Sequence, residues 1–245
     1  MKTVLISGAS SGIGEALALK YANEGWQVFA GGRNEHRLEI LCQVNTNIHS
    51  LVGDVVDESQ VIRLAEQLPP LDMLILNAGS CEYIDNAIKF DAALFKRVID
   101  TNLISVAYCL AHWLPKVKEH GQLALTSSSA SFLPLPRAQA YGASKAALTY
   151  LARTLSIDLA PHHIDVSVIN PGFVKTPLTD KNDFDMPGMV NTEQAAQIII
   201  KGLAKRKHTI NFPTTFTVIL STIALLPFSW WRAFAVRYLI RKDVT

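Results

Sequence analysis

The chain has 245 residues, of which 49% are hydrophobic and 18% are charged, and its formal net charge is +2. This composition is typical of one folded domain with a large apolar core. Since the chain contains no block of like charges, nothing in it suggests nucleic-acid binding.

The cysteines Cys42, Cys81 and Cys109 contain no Cys-x-x-Cys pair, which indicates a reducing compartment and excludes a disulfide framework. We expect Cys81, shortly after a strand end, to be an inert thiol rather than an accessible one. Adjacent His162 and His163 would point apart on any regular element, so we predict no metal site. The first predicted strand begins without the features of a signal peptide, so we expect a cytoplasmic protein.

The first predicted elements are an apolar strand over Lys2–Ser7, a glycine-rich turn and a helix that is under way by Glu15. Gly8 permits a sharp exit from the strand, Gly12 lets the backbone approach a ligand, and Gly14 lets the helix pack on the strand. The amino terminus of the helix offers free N–H groups to a pyrophosphate. The pattern favours a dinucleotide-binding turn over a tight turn without a ligand.

Further strands are predicted over Gln27–Ala30, around His49–Val52 and over Asp72–Leu76, with a helix over Glu35–Cys42. In a doubly wound sheet, residues just past the carboxyl ends of the strands line the ligand crevice. This rule nominates Gly31, Gly32, Arg33, Asp54, Asn77, Ala78 and Gly79.

The second strand ends in Gly31, Gly32 and Arg33 instead of the acidic residue that binds a free ribose 2′-hydroxyl. A guanidinium suits a 2′-phosphate, and the missing carboxylate removes a repulsion. The sequence therefore favours NADP(H) over NAD(H). The alternative is that Arg33 is a solvated loop charge, since Ser11 and not a basic residue precedes Gly12.

Tyr141 and Lys145 lie four residues apart in a predicted helix, so their side chains stack on one face. We expect the ammonium to lower the phenol pKa from about 10 toward working pH, which makes Tyr141 a candidate general acid and base. The alternative is a lysine stem packed on an exposed ring. Serines at the end of the preceding strand, above all Ser128, could donate to a substrate oxygen, although serine clusters also form turns. A further strand over Val166–Ile169 leads to Pro171.

With these segments, the sequence resembles the short-chain dehydrogenase/reductase family. The matching elements are Ser7-Gly8 through Gly14, Asn77 to Gly79, Asn102, Ser128, Tyr141 with Lys145, and Pro171-Gly172. The resemblance implies an α/β fold in which a Rossmann-type, doubly wound parallel sheet forms a single domain of three layers. It implies seven parallel strands with three helices on each face, in a domain that covers residues 1–208.

The resemblance also implies the roles of individual residues. Tyr141 would donate the proton in reduction, Lys145 would bind the nicotinamide ribose and tune Tyr141, Ser128 would polarise the carbonyl, and Asn102 would hold a water in a proton path. Asp54 is expected near the adenine and Thr176 near the carboxamide. All candidate cofactor-binding residues are Gly8, Ser10, Ser11, Gly12, Ile13, Gly14, Arg33, Asp54, Val55, Asn77, Ala78, Gly79, Tyr141, Lys145, Pro171, Gly172, Val174 and Thr176.

Residues 209–245 are expected to form an apolar and basic carboxyl-terminal extension. Between Pro213 and Pro227 it is too short for a spanning helix, which needs about 20 apolar residues. Trp230 and Trp231, with Arg232, Arg237, Arg241 and Lys242 after them, suit an interfacial helix or hairpin at anionic headgroups. Packing on the domain or on a second subunit is an equal alternative.

The expected function is NADP(H)-dependent interconversion of a carbonyl and a secondary alcohol by hydride transfer. The candidate lid, Leu178–Asn191, lacks a dense polar clamp, so we expect an apolar or lipid-like substrate. The resemblance further implies a homo-oligomer, and the extension suggests peripheral contact with the inner face of a membrane. The alternative function is a catalytically weak NADP(H)-binding protein that acts as a regulator or membrane scaffold, although such a protein has no need of the full catalytic set.

Overall fold

The sheet is the centre of the fold in the computed structural model, which describes residues 1–181 and 185–240. All seven strands of this sheet run parallel, in the order β3-β2-β1-β4-β5-β6-β7. The strands are β1 (Thr3–Ser7), β2 (Gln27–Gly32), β3 (Ile48–Val52), β4 (Leu71–Leu76), β5 (Val117–Thr126), β6 (Asp165–Pro171) and β7 (Thr209–Phe212). The strand order reverses between β1 and β4, which is where a doubly wound sheet opens its ligand crevice.

Helices connect the strands and cover the sheet. They are α1 (Gly12–Asn23), α2 (Glu35–Val44), α3 (Glu58–Ala65), α4 (Ala92–Ile99), α5 (Ser105–Trp113), α6 (Gln139–Asp158), α7 (Thr192–Ala204), α8 (Thr214–Ile223) and α9 (Phe228–Tyr238). A π-helical stretch, Asp100–Ile104, joins α4 to α5 without a break in the helical path.

Two apolar cores lie on the two faces of the sheet. On one face, α1, α2 and α7 bury side chains such as Leu17, Leu38 and Ile199 against the sheet. On the other face, α3, α5 and α6 bury side chains such as Leu64 and Trp113. Because both faces are covered, the central strands are continuously apolar, as parallel sheets require. The three-layered α/β fold predicted from the sequence is confirmed.

The extension begins later than the sequence suggested. Residues 209–212 form β7, which pairs with β6 through the register Ile169↔Ile210, so the proposed boundary at residue 209 falls at the start of a sheet strand. Ile210 and Phe212 face the core whereas Thr209 and Asn211 are exposed. The alternation covers only four residues and runs directly into an apolar segment, so the sequence alone does not predict this strand. The part outside the sheet starts at Pro213.

The helices α8 and α9 pack on the loop that follows β5. Their inner side chains, Leu220, Trp231 and Ala235, form a small core with Leu133, and the Trp231 Nε1 donates to the Pro134 carbonyl at 2.8 Å. Across residues 1–181 and 185–240, no single helix has the length and apolar composition to cross a bilayer. The pair α8 and α9 meets those criteria only together, and it is bent by 116°. Arg241 and Lys242 lie outside the described residues.

Candidate active site

A cleft of about 560 Å³ opens at the carboxyl ends of the strands. Every candidate cofactor-binding residue predicted from the sequence lines it, except Gly14. Ser128 also lines the cleft, whereas Asn102 does not. The fold therefore brings together turns that are far apart in the chain.

The glycine turn after β1 has the backbone that its sequence predicts. Gly8 and Gly12 adopt positive φ angles of 68° and 63°, a conformation that side-chain-bearing residues rarely adopt. A Cβ at Gly14 would overlap the carbonyl oxygen of Gly8, so Gly14 serves the close packing of the helix on the turn instead of lining the cleft.

The turn after β4 is hydrogen-bonded to the glycine turn. The Ser7 hydroxyl accepts from the backbone N–H groups of Asn77 and Ala78, at 3.0 and 3.1 Å. The Asn77 amide donates to the carbonyl oxygens of Ser7 and Gly8, at 3.3 and 3.4 Å. These contacts fix the two turns relative to each other before any ligand arrives.

Two features of the cleft fit a dinucleotide. Within the part of the chain that the structure describes, the Ser11 side chain does not cap α1, which leaves N–H groups of the first turn for an anion. The hydroxyl of Thr126, 8% exposed and lining the cleft, has no hydrogen-bond partner among the described residues. A buried hydroxyl without a partner is costly, and a ligand group would satisfy it.

Helix α6 carries Tyr141 and Lys145. Lys145 is only 4% exposed because it lies on the buried face of the helix, and its Nζ donates to the Thr126 carbonyl at 2.9 Å. The Nζ lies 5.7 Å from the centre of the Tyr141 ring. The helix thus places the ammonium next to the phenol, as the spacing of four residues predicts.

The pKa values differ from the expectation. Burial raises the pKa of Tyr141 above its ordinary value, the nearby Cys81 raises it further, and a hydrogen bond with Ser128 lowers it. Burial lowers the pKa of Lys145 to about 8. The predicted lowering of the phenol pKa is therefore wrong for the structure, because burial disfavours both charged forms and the ammonium is bonded to Thr126.

The three serines after β5 have different partners. Ser127 donates to the Lys145 carbonyl at 2.7 Å and contacts the Thr149 hydroxyl at 2.8 Å, so it braces α6. Ser128 lines the cleft, and its Oγ accepts from the Ala130 N–H at 3.1 Å. Ser129 is buried. Of the three, only Ser128 combines a cleft position with a bond to Tyr141, although its catalytic role stays a prediction.

Asn102 lies in the π-helical stretch and is fully buried. Its Oδ1 accepts from the Ser80 N–H at 2.7 Å, and its Nδ2 donates to the Ser80 carbonyl and the Ser144 hydroxyl, both at 2.9 Å. Ser144 in turn donates to the Tyr141 carbonyl at 2.7 Å. The side chain of Asn102 thereby braces α6 against the turn after β4, and its role in holding a water stays a prediction.

Sequence reasoning missed Ser80 and Ser144. Ser144 stands three residues after Tyr141, a spacing that places it on the same side of the helix and could have revealed it. No sequence signal identifies Ser80, since it contacts Asn102 through its backbone only. Both residues connect Asn102 to the helix that carries Tyr141.

Cys81 and Tyr83 lie beside the catalytic candidates. They are hydrogen-bonded to each other, and Cys81 is close enough to Tyr141 and Lys145 to raise the pKa of both groups when its thiol is ionised. Burial raises the pKa of the Cys81 thiol, so the thiol is protonated at neutral pH, in line with an inert thiol.

Arg33 lies at the other end of the cleft. Its side chain is 72% exposed, and its guanidinium is 3.5 Å from the Asp54 carboxylate. An ion pair this exposed is weak, so Arg33 can still meet an anionic ligand group. The absence of an acidic residue at the end of β2 leaves that side of the cleft open to a phosphate.

The candidate lid is only partly described, because Asn182, Asp183 and Phe184 lie outside the described residues. Pro177, Leu178 and Thr179 line the cleft. A β-bridge between Val174 and Val190 connects the carboxyl-terminal end of the candidate lid to the turn that follows β6.

Comparisons with known proteins agree with this geometry. The family model described as short chain dehydrogenase matches residues 2–197. An uncharacterized oxidoreductase of Myxococcus xanthus is 33% identical over 236 residues, which are 92% of this chain and 93% of that protein. An 11-beta-hydroxysteroid dehydrogenase 1A of Arabidopsis thaliana is 30% identical over 89% of this chain and 70% of its own length. A crystal structure of BdcA in complex with NADPH has a TM-score of 0.77 and 25% identity, and covers 86% of this chain and 93% of that chain.

Proposed function

The chain belongs to the short-chain dehydrogenase family of oxidoreductases, and we propose that it uses NADP(H) to interconvert a carbonyl and a secondary alcohol. The observation that carries this proposal is the convergence, in one cleft, of the glycine turn with Tyr141, Lys145 and Ser128. A bound NADP(H) would supply the hydride to the carbonyl carbon or accept it from the alcohol.

Tyr141 is the proposed proton donor in the direction of reduction. Because burial raises the pKa of its phenol, the group is protonated at neutral pH and holds a proton for the substrate oxygen. Ser128 would donate a second hydrogen bond to the same oxygen. The two donors would meet the negative charge that develops there.

Lys145 is the proposed positioning and charge-stabilising residue. Its bond to the Thr126 carbonyl fixes the Nζ and leaves two N–H groups for the ribose hydroxyls of the cofactor. With a pKa of about 8, the amine is mostly protonated at pH 7, and its charge would stabilise the phenolate once Tyr141 has given up its proton. Asn102 would hold α6 in place beside the cleft through its hydrogen bonds with Ser80 and Ser144.

The preference for NADP(H) rests on Arg33 and on the lack of a carboxylate at the end of β2. The NADPH-bound structure of BdcA supports this assignment. The exposed guanidinium would contact the 2′-phosphate after leaving Asp54, with which it pairs at 3.5 Å.

The proposed substrate is apolar or lipid-like. Leu178 lines the cleft, and the core that α8 and α9 form with Leu133 lies beside the loop that follows Ser128. The Arabidopsis thaliana relative is named for a hydroxysteroid, which is an apolar secondary alcohol. Better turnover of small polar carbonyls than of long-chain ketones would contradict this assignment.

We further propose that the protein is a cytoplasmic homo-oligomer with a peripheral membrane contact. The exposed side chains of Tyr150 and Ile157 on α6 favour pairing through the helices that cover the sheet. Analytical ultracentrifugation tests this point, and a monomer at all concentrations would contradict it.

The central test measures NADPH oxidation with a panel of carbonyl compounds. Replacing Tyr141→Phe removes the proton donor and should lower kcat/KM by about 10²–10⁴. The matched control is Tyr150→Phe, on the same helix but 77% exposed, which should leave the rate unchanged. Equal rates for the wild type and Tyr141→Phe would remove the assigned role, and NADPH binding without turnover of any carbonyl would favour the regulatory or scaffold alternative.

A further inference from the structure

The helices α8 and α9 and the turn between them carry large apolar side chains that are largely exposed, and the Phe234 ring among them stacks on that of Trp231, with 5.8 Å between the ring centres. The side chains of Val218, Ile219, Leu225, Phe228, Trp230 and Phe234 are between 48% and 86% exposed, and we call them the α8–α9 surface. An exposed apolar patch of this kind marks an interaction site.

The inner side of the same helices is already occupied. Leu220, Trp231 and Ala235 pack on Leu133, and the indole N–H of Trp231 is bonded to Pro134. The α8–α9 surface is therefore not needed to hold the helices on the domain, and its apolar character calls for a separate partner.

The charges on α9 favour an anionic lipid bilayer over a second copy of the chain as the partner. Residues 209–240 contain no Asp or Glu, and Arg232 and Arg237 are exposed on α9 beside Trp230 and Tyr238. In a twofold dimer the same patch would face itself, so these arginines would meet like charge, and residues 209–240 offer no carboxylate to pair with them. Anionic lipid headgroups pair with arginine, and the tryptophan and tyrosine rings suit the boundary between headgroups and acyl chains.

We propose that the α8–α9 surface binds the interface of an anionic lipid bilayer. The bend of 116° between the helices favours a hairpin that lies in the interface over one straight span. This docking needs neither cofactor nor turnover.

Docking would bring the substrate side of the cleft to the lipid. Helix α8 begins directly after β7, at the sheet edge where the cleft opens, and the Phe216 ring lies 5.5 Å from that of Phe173, next to cleft-lining Gly172. The loop under α9 follows Ser128 along the chain. A substrate dissolved in the bilayer would then reach the cleft without crossing water, a consequence that rests on the proposed reduction.

Sedimentation with vesicles tests the docking. The full chain should pellet with vesicles of phosphatidylcholine and phosphatidylglycerol and bind far less to phosphatidylcholine alone. The double variant Leu225→Ser, Trp230→Ser changes side chains that are 86% and 65% exposed, so it should fold normally and lose binding. Replacing Arg232→Gln and Arg237→Gln should weaken binding to the anionic vesicles by about fivefold for each arginine.

The matched control is Ile40→Ser with Val44→Ser, which removes two exposed apolar side chains from α2 and should bind vesicles like the wild type. A wild type that stays in the supernatant with every vesicle would overturn the proposal, as would a control that loses binding equally. Dissociation of an oligomer by the Leu225 and Trp230 changes, without vesicle binding by the wild type, would assign the α8–α9 surface to a subunit contact instead.

A second readout separates this inference from the proposed reaction. Tyr141→Phe should bind vesicles like the wild type, whether or not the protein reduces carbonyls. For an active enzyme, the Leu225 and Trp230 changes should lower the rate with a long-chain ketone embedded in vesicles and leave the rate with a water-soluble ketone unchanged. Equal losses with both ketones would contradict the lipid route.

Discussion

The cofactor side of the cleft and the α8–α9 side are held together by different forces. On the cofactor side, buried and partly buried hydrogen bonds link Ser7, Asn77, Asn102 and Lys145 to backbone groups of neighbouring elements. On the α8–α9 side, a small apolar core and the bond from Trp231 carry the contact, and much apolar surface is exposed. The first arrangement fixes atoms for chemistry, whereas the second fixes only the inner face of a hairpin.

The largest expected effect concerns the buried charge of Lys145. Since its pKa falls from an ordinary 10.5 to about 8, the unfolded chain binds more protons than the folded one between these pH values. The cost of burying the ammonium, up to about 3 kcal/mol, should therefore disappear as pH rises through this window. The measurement is the free energy of unfolding of the wild type minus that of Lys145→Met from pH 7 to 10.5.

Other titrating groups largely cancel in that difference, so an upward slope belongs to Lys145. Tyr141 acts in the opposite direction only above its unfolded pKa of about 10, since its folded pKa is raised. If this difference in unfolding free energy does not change with pH, the Lys145 amine is solvated in the folded protein. The cofactor side of the cleft would then not hold a buried charge.

The next effect concerns the glycine turn. Gly14→Ala would force a Cβ into the Gly8 carbonyl, and we expect a loss of about 1–3 kcal/mol in unfolding free energy. Gly142→Ala is the matched control, because its nearest neighbour would be 3.8 Å away and it lies within α6. That change should stabilise the protein by about 0.5–1 kcal/mol. Urea unfolding measures both changes in unfolding free energy. If Gly14→Ala stabilises the protein as Gly142→Ala does, the turn is not closely packed at Gly14.

Arg33 should have a smaller effect, confined to the choice of cofactor. Losing one charge-assisted contact to the 2′-phosphate should raise the Kd for NADPH about tenfold or more and leave that for NADH nearly unchanged. Fluorescence titration of Arg33→Ala with both cofactors measures the difference. Similar losses for the two would mean that Arg33 does not contact the phosphate.

The smallest effect compares neighbouring tryptophans on the α8–α9 side. Trp231→Phe removes the bond to Pro134 and should cost about 1 kcal/mol, whereas Trp230→Phe, 65% exposed, should change the stability by less than about 0.5 kcal/mol. Thermal unfolding of both variants gives the comparison. If both changes cost the same, the inner face of α9 is not docked as described.

The sequence predicted the cofactor side better than the α8–α9 side, and the reason is physical. Gly8, Gly12 and Gly14 serve local backbone requirements, and the spacing from Tyr141 to Lys145 follows from helical periodicity, so both are readable without tertiary structure. The raised pKa of Tyr141 depends on burial, which no local pattern reveals.

Other features needed long-range contacts. The strand β7 has four residues with two facing the core, and only its pairing with β6 separates it from the apolar segment that follows. The π-helical stretch that turns Asn102 toward Ser144 has no signature in the residues around it, because it is stabilised by contacts with α6. The docked face of α9 likewise depends on Leu133, almost a hundred residues earlier in the chain.

The most direct test of the proposed chemistry is a crystal structure of the protein with NADP⁺. We expect the pyrophosphate against the first turn of α1, the 2′-phosphate beside Arg33, and the nicotinamide ribose within hydrogen-bond distance of Tyr141 and Lys145. A dinucleotide bound with its nicotinamide remote from Tyr141 and Lys145 would show that these two residues do not take part in the proposed reaction.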